Sequence, residues 1–195
     1  IAETEVKIAA DGEICVKGPQ VMMGYYKDPE KTAEVIIDGY FHTGDIGEFD
    51  ADGFLKITDR KKEMFKTSGG KYVAPQLLEN RFKQSRFVEQ LMVVGEGEKM
   101  PAALIQPNFE FIKDWAKRKH NKTFESNQAL VSDPLVIARI QEEVDEANAQ
   151  FAKWEKVKQF RLTPDIWSIE AGHVTPTLKL KRKIKLMLTG YPFSG

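Results

Sequence analysis

The residues whose types and spacing could support chemistry lie mainly in one stretch, residues 41–75, with the sequence FHTGDIGEFDADGFLKITDRKKEMFKTSGGKYVAP. This stretch contains an acid directly after Thr-Gly, an Asp-Arg pair, several lysines and a Gly-Gly pair. Two interpretations are open. It is either a hairpin with a solvated basic loop, or one wall of a nucleotide site followed by a moving part.

Asp45 is the first candidate in this stretch. It follows Thr43 and Gly44 at the end of the aromatic run YFHTGD, which predicts a carboxylate in a turn after a strand. A carboxylate there can accept two hydroxyl hydrogen bonds, such as those of a ribose 2′,3′-diol. The alternative is an ordinary turn aspartate, because Asp is common in turns.

Asp59 and Arg60 directly follow a predicted strand. The planar guanidinium of an arginine can bind phosphate or ribose oxygens, and a neighbouring aspartate can hold it in place. The alternative is a surface ion pair, which contributes at most about 1 kcal/mol. The nearby KTSGGK, residues 66–71, does not match the P-loop pattern, and we interpret Gly69-Gly70 as a close backbone approach or a sharp turn.

A basic segment, PTLKLKRKIK, occupies residues 176–185. Within it, Lys179 could reach a phosphoryl oxygen and offset charge that develops in a transition state. The segment could also be a solvated tail or a nucleic-acid contact. The net charge of +0 and the lack of aromatic residues in this run argue against a nucleic-acid partner.

No metal site is predicted. The three histidines are far apart in sequence, and none has a metal-ligand spacing to Cys15, the single cysteine. One cysteine cannot form an internal disulfide, which fits a reducing compartment. A chain with 42% hydrophobic and 30% charged residues is typical of a globular protein with a real core, and no apolar run reaches the roughly 18 residues that span a bilayer.

The predicted secondary structure that must position these residues changes along the chain. Residues 1–60 read as β, with strands at EICVKG and FLKIT, a hairpin turn at DADG, and one helix in DPEKTAEVI that starts at Pro29 with Asp28 as its cap. The remainder reads as α+β, with helices at APQLLENRFKQSR and FEFIKDWAKRKH and strands at QLMVVGE, PAALIQPN and VKQFRLTPDIW.

A long helix is predicted after Ser132, Asp133 and Pro134. Its apolar stripe is expected at Ile137, Ile140, Val144, Ala147 and Phe151. The change from β to α+β places a domain boundary between Asp59 and Lys62. Because the first residue is Ile1 rather than Met, we also expect the chain to be a fragment of a longer protein.

The order of these motifs, from GEICVKGPQVMMGYYKDPEKTAEVI through the stretch above to the late TPTLKLKR, resembles the C-terminal third of adenylate-forming enzymes. The resemblance is closest to long-chain fatty-acid–CoA ligases and runs from Gly12 to about Leu188. It implies an α+β fold in which residues 1–60 are the terminal β subdomain of a large AMP-binding domain. Residues 61–195 are then a mobile C-terminal lid, a short sheet flanked by helices.

The resemblance also implies roles for single residues. Asp45, with Thr43, would bind the ribose of the nucleotide, and Arg60 would face the same nucleotide. Lys62 would be the hinge about which the lid turns. Lys66 would act in thioester formation.

The late-motif lysine would assist adenylation. The late motif here has Leu178 where many members of the family have Gly. This departure leaves Lys179 and Lys181 both open as the reacting lysine, and we prefer Lys179.

The implied reaction uses ATP with Mg²⁺, a fatty acid and CoA. The resemblance further implies a missing N-terminal AMP-binding domain, little or no activity of this chain alone, and a cytoplasmic parent with peripheral contact at the inner face of a membrane. Two alternatives stay open: an adenylate-forming enzyme that loads a carrier protein, and a stand-alone, non-enzymatic binding or regulatory domain.

Overall fold

The computed structural model describes residues 3–173 of the 195-residue chain. The chain divides into two compact units, Ile1–Met64 (unit 1) and Phe65–Gly195 (unit 2). The predicted domain boundary at residues 60 and 61 stays a prediction.

Unit 1 is built on a five-stranded antiparallel sheet. Its elements are β1 (Glu5–Ile8), β2 (Glu13–Lys17), helix α1 (Pro29–Val35), β3 (Ile36–Ile37), β4 (Tyr40–Phe49) and β5 (Leu55–Arg60). The strand order is β1-β2-β4-β3, and β5 pairs with β4. The ten-residue β4 therefore pairs with three strands, β2, β3 and β5, and these strands hold the residues of β4 in place.

Two local features of unit 1 confirm the sequence patterns. The Asp28 carboxylate accepts the Lys31 N–H at 3.0 Å and caps α1, which begins at Pro29. The turn between β4 and β5 is closed by Asp50, whose Oδ1 accepts the Phe54 N–H at 2.9 Å, while Gly53 adopts a φ of +83°. This turn sets the pairing of residues 47–49 with residues 55–57.

The position of the Thr-Gly-Asp sequence differs from the prediction. It was expected in a turn after a strand, but Thr43, Gly44 and Asp45 lie inside β4. The strand runs through Gly44, which adopts a φ of +74°, and a register irregularity follows between Ile46 and Gly47. Propensity rules place Gly in turns, so they do not predict a glycine with a positive φ inside a strand.

Unit 2 contains the mixture of helices and strands that was predicted, and the α+β fold class is confirmed. It contains a short hairpin, β6 (Phe65–Lys66) with β7 (Tyr72–Val73), and a three-stranded sheet of β8 (Val88–Val94), β9 (Ala102–Pro107) and β10 (Gln159–Leu162). The sheet order is β10-β9-β8, with β9 antiparallel to β8 and parallel to β10. Its helices are α2 (Pro75–Phe82), α3 (Phe109–His120), α4 (Asn127–Val131) and α5 (Pro134–Asn148).

The core of unit 2 forms where these helices pack on the sheet. All six residues of β9 are buried, as expected for a central strand with an uninterrupted apolar run. Large, fully buried side chains of this core come from five elements, α2, β8, β9, α3 and α5: Leu78, Phe82, Leu91, Ile105, Ile112, Ile140 and Val144.

The predicted apolar stripe of α5 was wrong at two positions. Ile137 is 40% exposed, and the buried residue in that turn is Val136. The predicted Phe151 lies beyond the helix, which ends at Asn148. The sequence PLVIARI offers apolar residues on several faces of the first two turns, so the pattern alone could not fix the phase of the stripe. Among residues 3–173, none of the helices has the length and hydropathy needed to cross a membrane.

Candidate functional site

The antiparallel pairing of β4 and β5 places Asp45 directly opposite Arg60. The Arg60 Nε lies 3.0 Å from the Asp45 Oδ1. Their side chains are 64% and 23% exposed, respectively. The structure therefore brings two predicted site residues together, and the pair is open to solvent and to a ligand.

Thr43 orders the backbone beside this pair. Its hydroxyl donates to the Ile14 carbonyl at 2.8 Å and accepts the Asp45 N–H at 3.1 Å. The hydroxyl thus ties β4 to β2 and helps to orient Asp45. These two hydrogen bonds favour a supporting role for Thr43, in addition to the direct ligand contact that was expected.

Both backbone polar groups of Gly44, its N–H and its carbonyl, are hydrogen-bonded. Its N–H donates to the Glu13 Oε1 at 2.9 Å, and its carbonyl accepts the Lys61 N–H at 2.8 Å. A side chain at this position would have to adopt the left-handed φ of +74°. The residue immediately before Asp45 is therefore fixed between β2 and the end of β5.

Glu13 is a buried carboxylate, 3% exposed, at the start of β2. Its Oε2 lies 2.8 Å from the Lys61 Nζ and 2.8 Å from the His42 Nδ1. Burial alone would raise the pKa of Glu13, but the hydrogen bonds from Lys61, His42 and the Gly44 N–H hold that pKa below its usual value. Glu13 is therefore an ionised, fully partnered carboxylate at neutral pH.

Lys61 completes this network. Its Nζ lies 2.7 Å from the Asp11 Oδ2 as well as 2.8 Å from Glu13. The hydrogen bonds with Asp11 and Glu13 raise the pKa of Lys61 above its ordinary value. The same ammonium lowers the pKa of Asp11. We call Asp11, Glu13, His42 and Lys61 the Glu13 network.

Cys15 lies next to this network and is fully buried. Its Sγ is 3.5 Å from the His42 Nδ1, because Cys15 and His42 are paired across β2 and β4. Cys15, His42 and Glu13 have donor atoms within 4.8 Å of one another, so they could hold a metal ion by distance. The Lys61 ammonium already places a positive charge on Glu13, and burial raises the pKa of the Cys15 thiol, so the arrangement favours a hydrogen-bonded network over a metal centre.

The three predicted lysines have different surroundings. Lys62 is exposed, in the turn that follows Arg60. Lys66 ends β6 in unit 2, with its Nζ 4.9 Å from the centre of the Tyr72 ring. Lys179 lies outside the described residues.

A comparison with known protein families decides the affiliation of the chain. Residues 63–165, more than half of the chain, match the family described as AMP-binding enzyme C-terminal domain. The chain belongs to this family. Residues 1–62, which carry Asp45 and Arg60, precede the matched part.

Curated relatives extend the likeness over both units. The chain is 40% identical over 179 residues to the long-chain-fatty-acid–CoA ligase FadD15 of Mycobacterium tuberculosis, a match that covers 92% of this chain and 30% of that protein. It is 40% identical over 182 residues to the human long-chain-fatty-acid–CoA ligase 1, covering 88% of this chain and 25% of that protein. The chain thus spans less than a third of the length of these relatives.

Solved structures of adenylate-forming enzymes have the same fold. The A-PCP didomain of a carboxylic acid reductase from Segniliparus rugosus, in complex with AMP, is 26% identical with a TM-score of 0.69. That match covers 97% of this chain and 27% of the didomain. The resemblance to adenylate-forming enzymes and to long-chain fatty-acid–CoA ligases, which the sequence indicated, is confirmed.

Sequence reasoning missed the Glu13 network in this member of the AMP-binding family. Glu13 was read only as part of a strand, and Asp11 and Lys61 were not singled out. One signal was available, since Glu13 and Cys15 are two residues apart in a strand and so share a face. An acid on the same face as a buried apolar residue requires a partner, and the partners lie 29 and 48 residues away.

Proposed function

We propose that this chain is the C-terminal part of an ATP-dependent, AMP-forming long-chain fatty-acid–CoA ligase. The observation that carries the proposal is the pairing of Asp45 with Arg60 on the accessible side of β4 and β5, in a chain 40% identical to ligases of that name. Asp45 would accept hydrogen bonds from the ribose hydroxyls. Arg60 would hold Asp45 in place and face the nucleotide.

The proposed reaction has two steps. A carboxylate oxygen of the fatty acid attacks the α-phosphorus of ATP, and the bond to the β-phosphate oxygen breaks, which gives acyl-adenylate and pyrophosphate. The CoA sulfur then attacks the acyl carbonyl, loses its proton, and displaces AMP. Mg²⁺ would enter on the phosphates of ATP, where it balances their charge, and we assign it no ligand among residues 3–173.

The lysines divide between the two steps in this proposal. Lys179 would contact the α-phosphate and carboxylate oxygens and stabilise the charge that develops during adenylation. Lys66 would act in the conformation that forms the thioester. Lys62 would be the hinge between residues 1–60, the end of the AMP-binding domain, and residues 61–195, the lid.

The proposal includes a larger N-terminal AMP-binding domain that this chain lacks. An exposed apolar face of unit 1 supports it, because Phe49, Leu55 and Ile57 share one face of the β4–β5 hairpin and are 48%, 39% and 66% exposed. Contiguous apolar surface of this kind is typical of a contact with further protein. The expected inactivity of the chain alone, its cytoplasmic location and the peripheral membrane contact belong to the same proposal.

A carrier-loading enzyme is the second candidate. It is favoured by the likeness to the A-PCP didomain of the carboxylic acid reductase, but the identity there is 26% against 40% for the ligases. A non-enzymatic binding domain is the third candidate. Salt-sensitive binding of this chain alone to nucleic acid or anionic lipid, without a contribution to ATP-dependent chemistry, would support it.

The test is product analysis with the full-length protein, ATP, Mg²⁺ and fatty acids, with CoA or a phosphopantetheinylated carrier protein as the acceptor. The proposal predicts acyl-CoA, AMP and pyrophosphate in equal amounts. Exclusive acylation of the carrier would favour the second candidate. A full-length protein that forms no acyl-adenylate from any carboxylate would contradict both enzymatic readings.

A further inference from the structure

Glu13 carries a charge although its side chain is buried. Moving a carboxylate out of water is costly unless hydrogen bonds and opposite charges compensate it. Unit 1 has few buried apolar side chains among its described residues, namely Ile14, Cys15 and Ile46. Glu13 sits beside them: its Oε1 accepts the Gly44 N–H of β4, and its Oε2 contacts both Lys61 and His42 of β4.

The Oε1 atom holds the Thr-Gly-Asp segment. It accepts the Gly44 N–H at 2.9 Å, one residue before Asp45. The Gly44 carbonyl accepts the Lys61 N–H at 2.8 Å, so this glycine is fixed from both sides. Because Asp45 is attached to this fixed peptide, Glu13 limits the directions that the Asp45 carboxylate can take.

The Oε2 atom holds the end of β5. It lies 2.8 Å from the Lys61 Nζ, and Asp11 lies on the same ammonium at 2.7 Å. Lys61 is thus held through its backbone by Gly44 and through its side chain by Glu13 and Asp11. Arg60 precedes Lys61 and Lys62 follows Lys61, so both residues are attached to a fixed residue.

We propose that Glu13 is a positioning residue for the nucleotide: its two carboxylate oxygens hold Gly44 and Lys61 and thereby set the Asp45–Arg60 pair in the geometry that binds ATP. The inference rests on the proposed function for its nucleotide part. Glu13 does not touch the ligand in this proposal. It acts through Asp45 and Arg60, and the pair should bind ATP less well when either oxygen loses its partner.

Three variants separate this role from a general loss of stability. Glu13→Gln keeps an oxygen that can accept the Gly44 N–H but removes the charge that holds Lys61. Lys61→Met removes the ammonium and leaves Glu13 in place. Glu79→Gln is the matched control, since Glu79 is also a buried carboxylate whose Oε1 accepts a backbone N–H, that of Val93 at 3.0 Å, but it lies in unit 2.

The first measurement is steady-state adenylation by the full-length ligase. We expect Glu13→Gln and Lys61→Met to raise the KM for ATP by about tenfold or more, with a much smaller change in kcat and in the KM for the fatty acid. Glu79→Gln should leave the KM for ATP unchanged at a temperature where all variants are folded. Equal kinetic changes in all three variants, or an unchanged KM for ATP in Glu13→Gln, would overturn the nucleotide role.

The second measurement uses the full-length protein and does not depend on activity. Amide hydrogen exchange should accelerate at Lys61 in Glu13→Gln and Lys61→Met, and by a smaller factor at Gly44, whose N–H keeps an acceptor oxygen in both variants. Glu79→Gln should change neither amide. Unchanged exchange at both amides would show that Glu13 does not hold these segments. A wild-type full-length protein without any ATP-dependent activity would overturn the proposed function and the nucleotide role together, while the exchange data would still decide whether Glu13 positions Gly44 and Lys61.

Discussion

Arg60 and Asp45 face each other across two antiparallel strands, and the Arg60 Nε lies 3.0 Å from the Asp45 Oδ1. The two residues are 15 positions apart. The hairpin turn at Asp50–Gly53 sets the register near the turn, and the irregularity between Ile46 and Gly47 shifts that register by one residue so that Asp45 faces Arg60. The Asp59 carboxylate was expected to hold the arginine. It is 2% exposed and accepts the Arg60 N–H at 2.6 Å. The Arg60 side chain pairs with Asp45.

Replacing Asp45 with Ala in the full-length protein should weaken the proposed use of ATP. A lost hydrogen bond to a charged group costs about 1.5–3 kcal/mol, so kcat/KM for ATP should fall by about tenfold to a hundredfold. Asp50→Asn is the control, because Asp50 is an acid of the same hairpin that closes the turn. Loss of ATP use in both variants to the same extent would point to a damaged hairpin rather than to a ribose contact.

Lys179→Ala should reduce the proposed adenylation reaction of the full-length protein by several orders of magnitude, because the Lys179 charge would be needed where the phosphate charge develops. Thioester formation from supplied acyl-adenylate should survive. The half-reactions can be followed as pyrophosphate release and as acyl-CoA formation. Lys181→Ala is the neighbouring control, and an effect of that variant alone would reassign the reacting lysine. Equal loss of both half-reactions in Lys179→Ala would contradict the role.

Lys62→Pro should change the ratio of the two half-reactions, because proline fixes φ at a residue that is proposed to rotate. Lys62→Ala removes the same side chain without restricting the backbone and should leave the ratio close to that of the wild type. Rapid-quench measurement of each half-reaction provides the comparison. Identical ratios in the wild type and both variants would place the hinge elsewhere.

Unit 1 should lose stability in acid because the pKa values of Glu13 and Asp11 are lowered in the folded chain. Carboxylates with lowered pKa values contribute stability above their unfolded pKa values, about 4, and the contribution is lost as the pH falls through the folded values. The opening of unit 1 should therefore increase progressively below about pH 4. The raised pKa of Lys61 contributes stability below its unfolded value and loses it only in strong base.

The chain carries separate reporters for this test. Cys15 is the single cysteine and is buried in unit 1, while the three tryptophans, Trp115, Trp154 and Trp167, all lie in unit 2. Labelling of Cys15 by a pyridyl disulfide, which reacts with thiols in acid, reports unit 1, and tryptophan fluorescence reports unit 2. Glu13→Gln should destabilise unit 1 at pH 7 by about 2 kcal/mol, and the difference from the wild type should shrink in acid. A constant difference at every pH would contradict this account.

Much of the fold follows from short-range rules. The strands β2 and β5 and the helices α1 and α3 were predicted because alternation, helical spacing and caps such as Asp28 are local signals. The phase of α5 was missed because the choice between Val136 and Ile137 depends on what the helix packs against. The two-residue strands β6 and β7 are too short to produce a pattern.

The candidate site was only partly readable from the sequence. Asp45 and Arg60 were singled out because their types and their order along the chain are informative. Their mutual contact was not predicted, because it depends on the register of β4 and β5. The Glu13 network was missed, because its members come from three separate segments that only the sheet brings together.

The measurement that most directly tests the central claim is the ATP-dependent reaction of the full-length protein with a long-chain fatty acid and CoA, compared with its Asp45→Ala variant. The account predicts acyl-CoA with one AMP and one pyrophosphate per product, and a strongly reduced kcat/KM for ATP in the variant. Formation of acyl-CoA at equal efficiency by both proteins, or no acyl-adenylate from any carboxylate, would contradict it.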